Sequence, residues 1–600
     1  VRGSAEGMRL REQRYIDLEG VSYTACPRGN EDWRLRAERI TLDQKTEMGT
    51  GRGVRVDVRN VPVLYLPWIT FPASDRRKSG LLFPTIGGSG STGTYVGVPW
   101  YWNIAPNYDA TFTGNWFSKR GFRIDPEFRY LTDTSEGQLN VEYLIRDRET
   151  DEARSYARFF NRSLFDRHTR LLVDAAEVSD SDYFEDFGVG FEGTSVSFLS
   201  RAAELRHVTE HWKLIGLVQD FKVIDQTISD PDRPYTILPR LRADGRWRDL
   251  GYGFDAEFLS EASYFDRDLG PDGLRVDVQP ALGWRTGHRG AYVAGSAAWR
   301  YTAYSLNETE QGQDKTPDRS LPILSLDSGV VFERPTGSED QRILTLEPRA
   351  LYLYVPFREQ ENLPVFDTGI PDLNTVELFR TNRYVGADRQ GDANQLSVGV
   401  TSRLFDSADG QQFLSATLGQ ALFFEDPRVR LPDEPARDRS TSDLIAEVEL
   451  SAFKNWNARV GYQWNPDQSR TEKSGIMLQY APVSDSVINA GYRFRRDLLE
   501  QVDVSAAWPL GRQWRGFGRW VYSLNEEKTL DQFIGLQYSS CCWAIRFITR
   551  RFVRSRSGDT DTSFGLELEL KGLSSVGVDN EAFLEDAIRG YSAIPIDPQS

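Results

Sequence analysis

Three cysteines stand in this 600-residue chain, and two are neighbours: Cys541 and Cys542, with Cys26 far away near the N-terminus. Adjacent residues on a strand point to opposite faces, so the pair cannot serve one ordinary short-range bridge together, and each cysteine needs its own partner. Three thiols are too few for a disulfide scaffold or for a structural zinc site. The residues alone leave open long-range disulfides or buried thiols. Other candidate chemistry is weaker. His207 and His211 share a spacing that suits one helix face, but no HExxH frame surrounds them, and His168 and His288 are isolated. The acidic run Asp180-Ser-Asp-Tyr-Phe-Glu-Asp186 could hold a divalent cation, although a loop or lumen surface accounts for it more simply. No catalytic set stands out, so no enzymatic activity, metal or cofactor is expected.

Two prolines matter for what they withhold. Pro84 and Pro99 lie in stretches that read as consecutive strands. Proline donates no backbone hydrogen bond, so it weakens a ladder wherever it sits. Such a defect has consequences only if the strands close a barrel, and the rest of the chain argues that they do.

After Ser79, alternation is persistent. Phe112, Gly114 and Trp116 interleave with Thr111, Thr113 and Asn115; Leu139, Val141 and Tyr143 with Gln138, Asn140 and Glu142; Phe564, Leu566, Leu568 and Leu570 with Gly565, Glu567 and Glu569. One face is apolar and often aromatic, the other polar, charged or glycine. This is the signature of strands with lipid outside and a wet lumen inside. Mean hydropathy is −0.50 although aromatics reach 12%, and no apolar run approaches the ~18 residues of a transmembrane helix. About 500 residues at ~20 per strand and connection give roughly 24–26 strands. The fold class expected is all-β: a large antiparallel transmembrane β-barrel of about 26 strands. Asn307–Arg319, Asp406–Gln411 and Pro427–Ser442 read as long extracellular loops.

Residues 1–72 differ. Val54, Val56 and Val58 alternate with Arg55, Asp57 and Arg59, the mark of a half-buried strand, and Val61 to Pro72 is a proline-punctuated apolar segment. The expected division is a small β-domain at 1–72, a linker at 73–78, the barrel at 79–576 and a tail at 577–600. No signal peptide is visible, and the chain reads as beginning inside a domain. A formal charge of −16 argues against nucleic acid as a partner.

Several segments go beyond architecture: Leu536-Gln-Tyr-Ser-Ser-Cys-Cys-Trp-Ala-Ile-Arg546, Arg77-Lys-Ser-Gly-Leu-Leu-Phe-Pro84, Val98-Pro-Trp-Tyr-Trp-Asn-Ile-Ala-Pro-Asn107 and Leu378-Phe-Arg-Thr-Asn-Arg-Tyr384. With Leu346-Glu-Pro-Arg349 and Tyr352-Leu-Tyr-Val-Pro356, they closely resemble the lipopolysaccharide-assembly protein LptD family, over nearly the whole chain. The resemblance implies an N-terminal periplasmic β-jellyroll, here its C-terminal part, and a 26-stranded outer-membrane barrel. A lipoprotein, LptE, plugs such a barrel. A periplasmic LptA-like bridge, engaging the part N-terminal to this chain, delivers lipopolysaccharide, which the barrel releases into the outer leaflet without covalent chemistry.

Matched residue by residue, the resemblance pairs Cys26 with Cys542 and leaves Cys541 for a cysteine N-terminal to Val1. It matches Pro84 and Pro99 to a lateral gate, where the first strand meets a last strand near Ser563–Gly572 bearing Phe564, Leu566 and Leu568. A defect at that seam lowers the cost of opening it sideways. Val54, Val56, Val58 and Val63 become candidates for a groove that holds acyl chains, each buried methylene contributing ~0.8 kcal/mol, although any single valine fits the domain's own core better. The competing reading is an outer-membrane porin or substrate-specific transporter, which has no need of paired cysteines.

Overall fold

The structure is a computed structural model. It describes residues 2–29, 32–58, 61–74, 76–188, 196–288, 290–307, 314–337, 341–435, 439–451, 455–555 and 557–592.

The first 72 residues form a six-stranded antiparallel sheet. Arg2–Ser4 and Gly7–Arg11 both pair with Tyr15–Thr24, and Trp33–Asp43, Met48–Val58 and Val61–Pro72 follow in order. Val21, Ala37 and Val54 form its small buried core, with Leu18, Leu35, Ile40 and Leu66 packed around them.

The rest closes into an antiparallel barrel of 26 strands, from Gly80–Leu81 with Thr85–Ser89 to Thr560–Leu570. Closure is what a membrane demands, because every backbone N–H and C=O facing hydrocarbon must find a partner within the protein. The alternation sets which residues face outward. In Gly93–Ala105, Val98, Trp100, Trp102 and Ile104 are all at least 40% exposed, while the alternate positions Gly97 and Tyr101 are buried and Pro99 and Asn103 half-buried. No helix among the described residues is long and apolar enough to cross a membrane.

Each antiparallel step reverses direction, which assigns every connection to one end of the barrel. Asp406–Gln411 is a tight turn joining Ala393–Asp406 to Gln412–Phe423, on the same end as the N-terminal sheet. It is therefore not one of the long loops of the far end, where the connections through 307–317 and 424–443 lie. Its Asp, Gly and Gln residues serve the turn itself: Asp406 accepts from Ala408 N, and Gly410 takes a φ of +74°.

The far end also carries the connection 356–392, which folds into the lumen. Arg275, 1% exposed on the barrel wall, is held there by Asp367 at 2.6 Å, Asp388 at 2.6 Å and Glu261 at 2.7 Å. Arg319 donates to Gln360 Oε1, Thr302 Oγ1 and the Ala387 and Asp388 carbonyls. Phe366 stacks on Phe265 with centroids 4.5 Å apart. Buried charges persist only when paired, so this loop and the inward face of the strands depend on each other.

The C-terminal segment does not trail away. After Thr560–Leu570 the chain turns at Gly572 (φ +75°), runs back as Ser574–Gly577 and enters a helix at Asn580–Ala587, capped by the Asp579 carboxylate on Ala582 N at 3.0 Å. Leu584 and Ile588, both fully buried, pack on Val487, Ala507, Phe517, Phe533 and Ile548 of the inner wall. The part of the expected tail beyond residue 592 lies outside the described residues.

Replacing Leu584 by alanine removes about 2–5 kcal/mol of packing. The Arg589 carbonyl, held by Asn489 Nδ2 at 2.9 Å, is then released. Trypsin cleavage after Arg589, followed by mass spectrometry, is expected to accelerate at least about ten-fold.

Candidate functional site

Two features join the parts of this molecule: a disulfide and a seam. Cys26 and Cys542 are bonded, with Cα atoms 4.9 Å apart and 516 residues between them. Both are buried, at 2% and 0% exposure, beside Trp33 at 1%. The bond is the centre of a larger junction. Trp33 Nε1 donates to the Cys542 carbonyl at 2.8 Å. The Asp32 carboxylate accepts from Ser540 Oγ at 2.9 Å and Trp543 Nε1 at 3.0 Å. Tyr23 Oη donates to the Gly572 carbonyl at 3.0 Å, just past the last strand. The N-terminal sheet is thus tied to the barrel wall next to the place where the wall closes.

The cysteine pair lies in the turn between Lys528–Ser539 and Trp543–Val553, not within a strand as its sequence neighbours suggest. In this turn Cys542 points into the junction and Cys541 lies at the surface, with the two sulfurs 3.8 Å apart.

The seam is the pairing of first and last strands. It has three register pairs: Ser563 with Ser89, Phe564 with Gly88 and Gly565 with Gly87. The other edge of the same last strand pairs over eleven positions, from Trp543–Leu570 to Val553–Thr560. Towards the N-terminal sheet, direct pairing stops at Gly87, and beyond Thr85 the first strand itself is interrupted. Leu82, Phe83 and Pro84 bulge between Gly80–Leu81 and Thr85–Ser89, opposite Val98 and Pro99 of the second strand. Pro84 therefore sits in a break rather than inside a strand, and Pro99 sits in the ladder facing that break. One bond spans it, from Leu82 N to the Pro99 carbonyl at 2.9 Å.

Something else fills the gap. Ser574–Gly577 pairs with Glu567–Leu570 on the edge that the first strand has left. Gly577 N then donates to the Pro84 carbonyl at 3.3 Å, and Val578 N to Leu566 O at 3.1 Å. Gly577 has φ +116°, and a Cβ there would lie 2.0 Å from the Leu566 carbonyl, so only glycine fits. Phe564 and Leu566 point outward at 46% and 45% exposure, and Leu568 is half-buried. Behind the seam, a lumenal cavity of about 290 Å³ is lined by Gly88, Phe117, Arg123, Phe552 and Phe583 among others.

The valine stripe is less uniform than its spacing. Val54 is buried in the sheet's own core, Val56 is half-buried and Val58 is 38% exposed. A register shift between Val56 and Asp57 breaks the alternation, and Asp57 is buried against Arg36 at 3.2 Å and Arg55 at 3.4 Å. The Val63 side chain lies outside the described residues. Asp180 and Asp186 are bound to arginines: Asp186 meets Arg120, Arg154 and Arg554, and Asp180 meets Arg154. Among the described residues, no group of His, Cys, Asp and Glu is arranged to hold a metal.

From sequence a tail is expected from residue 577 and no return strand; Gly572 and Gly577, which bracket it, and Asp579 before a helix-forming run are the signals that mark it. Its place in the seam leaves no such signal.

Trp33 is packed in the same buried cluster as both cysteines of the bridge, so reductant alone is expected to act slowly. Trp33→Ala should speed reduction of Cys26–Cys542 by at least about ten-fold, read by thiol labelling and peptide mapping of the folded protein, if the indole shields about 1.4 kcal/mol of opening cost.

Comparison with known proteins agrees with this architecture. The family model described as LPS transport system D matches residues 152–514, and a second, LptD protein, matches residues 52–170. The chain is 37% identical to the LPS-assembly protein LptD of Nitrosococcus oceani, over 98% of this chain and 80% of that protein. It is 39% identical to the LPS-assembly protein LptD of Alkalilimnicola ehrlichii, over 98% and 79%. Among solved structures, the siderophore receptor PirA from Pseudomonas aeruginosa aligns with 88% of this chain and 86% of its own, at a TM-score of 0.31 and 8% identity, a likeness that carries no argument about fold or function. The chain belongs to the LptD family of lipopolysaccharide-assembly proteins.

Proposed function

We propose that this barrel receives lipopolysaccharide from a periplasmic bridge and releases it sideways into the outer leaflet, through the seam between its first and last strands. The observation that carries this reading is the contrast of three register pairs at the seam with eleven at the neighbouring interface. Opening any other interface would expose many backbone groups to lipid, at several kcal/mol each. Opening here exposes few. The return strand Ser574–Gly577 already satisfies the lower part of the last strand, and its satisfaction survives when the first strand moves away. Pro84 and Pro99 supply no N–H of their own to the break.

The lipid's chemistry suits a lateral exit. Acyl chains gain ~0.8 kcal/mol per methylene by entering hydrocarbon, while the glycan requires the polar lumen. In this reading the N-terminal sheet lies in the periplasm and passes acyl chains toward the seam along a path near Val56, Val58 and Val63, while Val54 stays in the sheet's own core. The Cys26–Cys542 bridge fixes that exit beside the last strand. Cys541 pairs with a cysteine of the preceding segment, an LptA-like bridge docks on that segment, and an LptE-like lipoprotein occupies the lumen. The role is transport and assembly, not covalent catalysis.

Substituting alanine at both Pro84 and Pro99 restores two potential donors. It is expected to lengthen the ladder and slow surface delivery several-fold in cells, measured by surface labelling of newly made lipopolysaccharide. Unchanged delivery would count against the lateral route.

A further inference from the structure

We propose that Asp561 is the positioning residue that sets how readily the seam parts at the end remote from the N-terminal sheet. The inference rests on the lateral-exit reading and adds its control element.

Asp561 stands near the start of the last strand and is 5% exposed. Its carboxylate reaches across the seam to the turn joining the first two strands. Oδ1 accepts from Gly90 N at 2.6 Å, and Oδ2 from Ser91 N at 3.2 Å and Ser91 Oγ at 2.9 Å. Oδ1 also accepts from its neighbour Thr562 N at 2.6 Å. The Thr562 carbonyl takes a second bond from Gly90 N at 3.1 Å. The turn is shaped for this. Ser89 Oγ contacts Ser91 Oγ at 3.0 Å and Thr92 Oγ1 at 2.8 Å. A Cβ on residue 90 would lie 2.3 Å from Asp561 Oδ1, so glycine is what admits the carboxylate.

Hydrogen bonds to a charged acceptor are worth more than neutral ones. At an interface with three backbone pairs, a carboxylate holding three donors across the gap is a major share of what keeps it shut. These bonds cross only this edge and exist only while it is closed. They therefore stabilise the closed state over the open one, which is the condition for setting an equilibrium. A second link lies beside the first: Asp186 meets Arg554, in the connection before the last strand, at 3.0 Å, and Arg120, in the turn between Tyr108–Phe117 and Gly121–Leu131, at 2.6 Å.

The test uses the full protein in its native complex, embedded in nanodiscs. Hydrogen exchange is followed at residues 87–91 and 562–565 and, as reference, in Gly121–Leu131 and Lys528–Ser539. Asp561→Ala is expected to raise exchange at the seam about ten-fold while the reference ladders stay unchanged. Gly90→Ala, which leaves the charge but displaces the carboxylate, should move exchange in the same direction. Unchanged seam exchange in folded Asp561→Ala overturns the proposal, as does a rise spread over the whole barrel. If Asp561→Ala does not fold, Gly90→Ala decides alone by the same criteria. A disulfide between Ser89→Cys and Ser563→Cys separates the two levels. Normal lipopolysaccharide delivery with that bond formed would overturn the lateral exit itself and leave the exchange result standing.

Discussion

The backbone's need for partners in hydrocarbon governs this structure. A sheet inside a membrane has no water to satisfy an open edge, so it must close, and one interface must join strands from opposite ends of the chain. That interface is assembled from distant segments, and here it is the thinnest part of the wall. Its three pairs are supplemented on one side by a carboxylate cap and on the other by a strand that the C-terminus folds back. The closed barrel meets the membrane's demand without making its seam as strong as its other interfaces.

The remaining features stand around that weak line. The buried Cys26–Cys542 bond and the Trp33 and Asp32 contacts tie the N-terminal sheet to the turn preceding the last two strands. Tyr23 reaches the residue at which the chain doubles back. On the inner wall, Arg546 bridges Glu567 of the last strand at 2.6 Å and Glu581 of the C-terminal helix at 3.2 Å, so that helix is fastened to the last strand's side of the seam. The far lobe, filled by 356–392 around Arg275 and Arg319, is rigidly paired. The molecule is stiff where its charges are buried together and lightly joined where first and last strands meet.

The barrel was readable because its signal is local. Period-two alternation places lipid-facing and lumen-facing residues without knowledge of any partner strand, and Trp100, Trp102, Phe564 and Leu566 face outward as their spacing requires. Strand number follows from length. The valine stripe shows where such reasoning stops. Val54, Val56 and Val58 have the spacing of one face, yet a register shift and the buried Asp57 ion pairs spread them over three degrees of exposure. Asp406–Gln411 reads as a loop by composition, but strand direction places it among the short turns.

The sequence by itself determined the class of structure, the chain's family likeness and the residues that could weaken a ladder, because each depends on residue type and near spacing. The tertiary structure alone decided what those residues meet. Pro84 lies in a break only because Gly80–Leu81 and Thr85–Ser89 pair with the second strand out of step across it. Ser574–Gly577 fills the vacant edge, and Asp561 seats on a turn 470 residues away. Contacts between the two ends of a 600-residue chain leave no periodicity to read; they exist only once closure has brought those ends together.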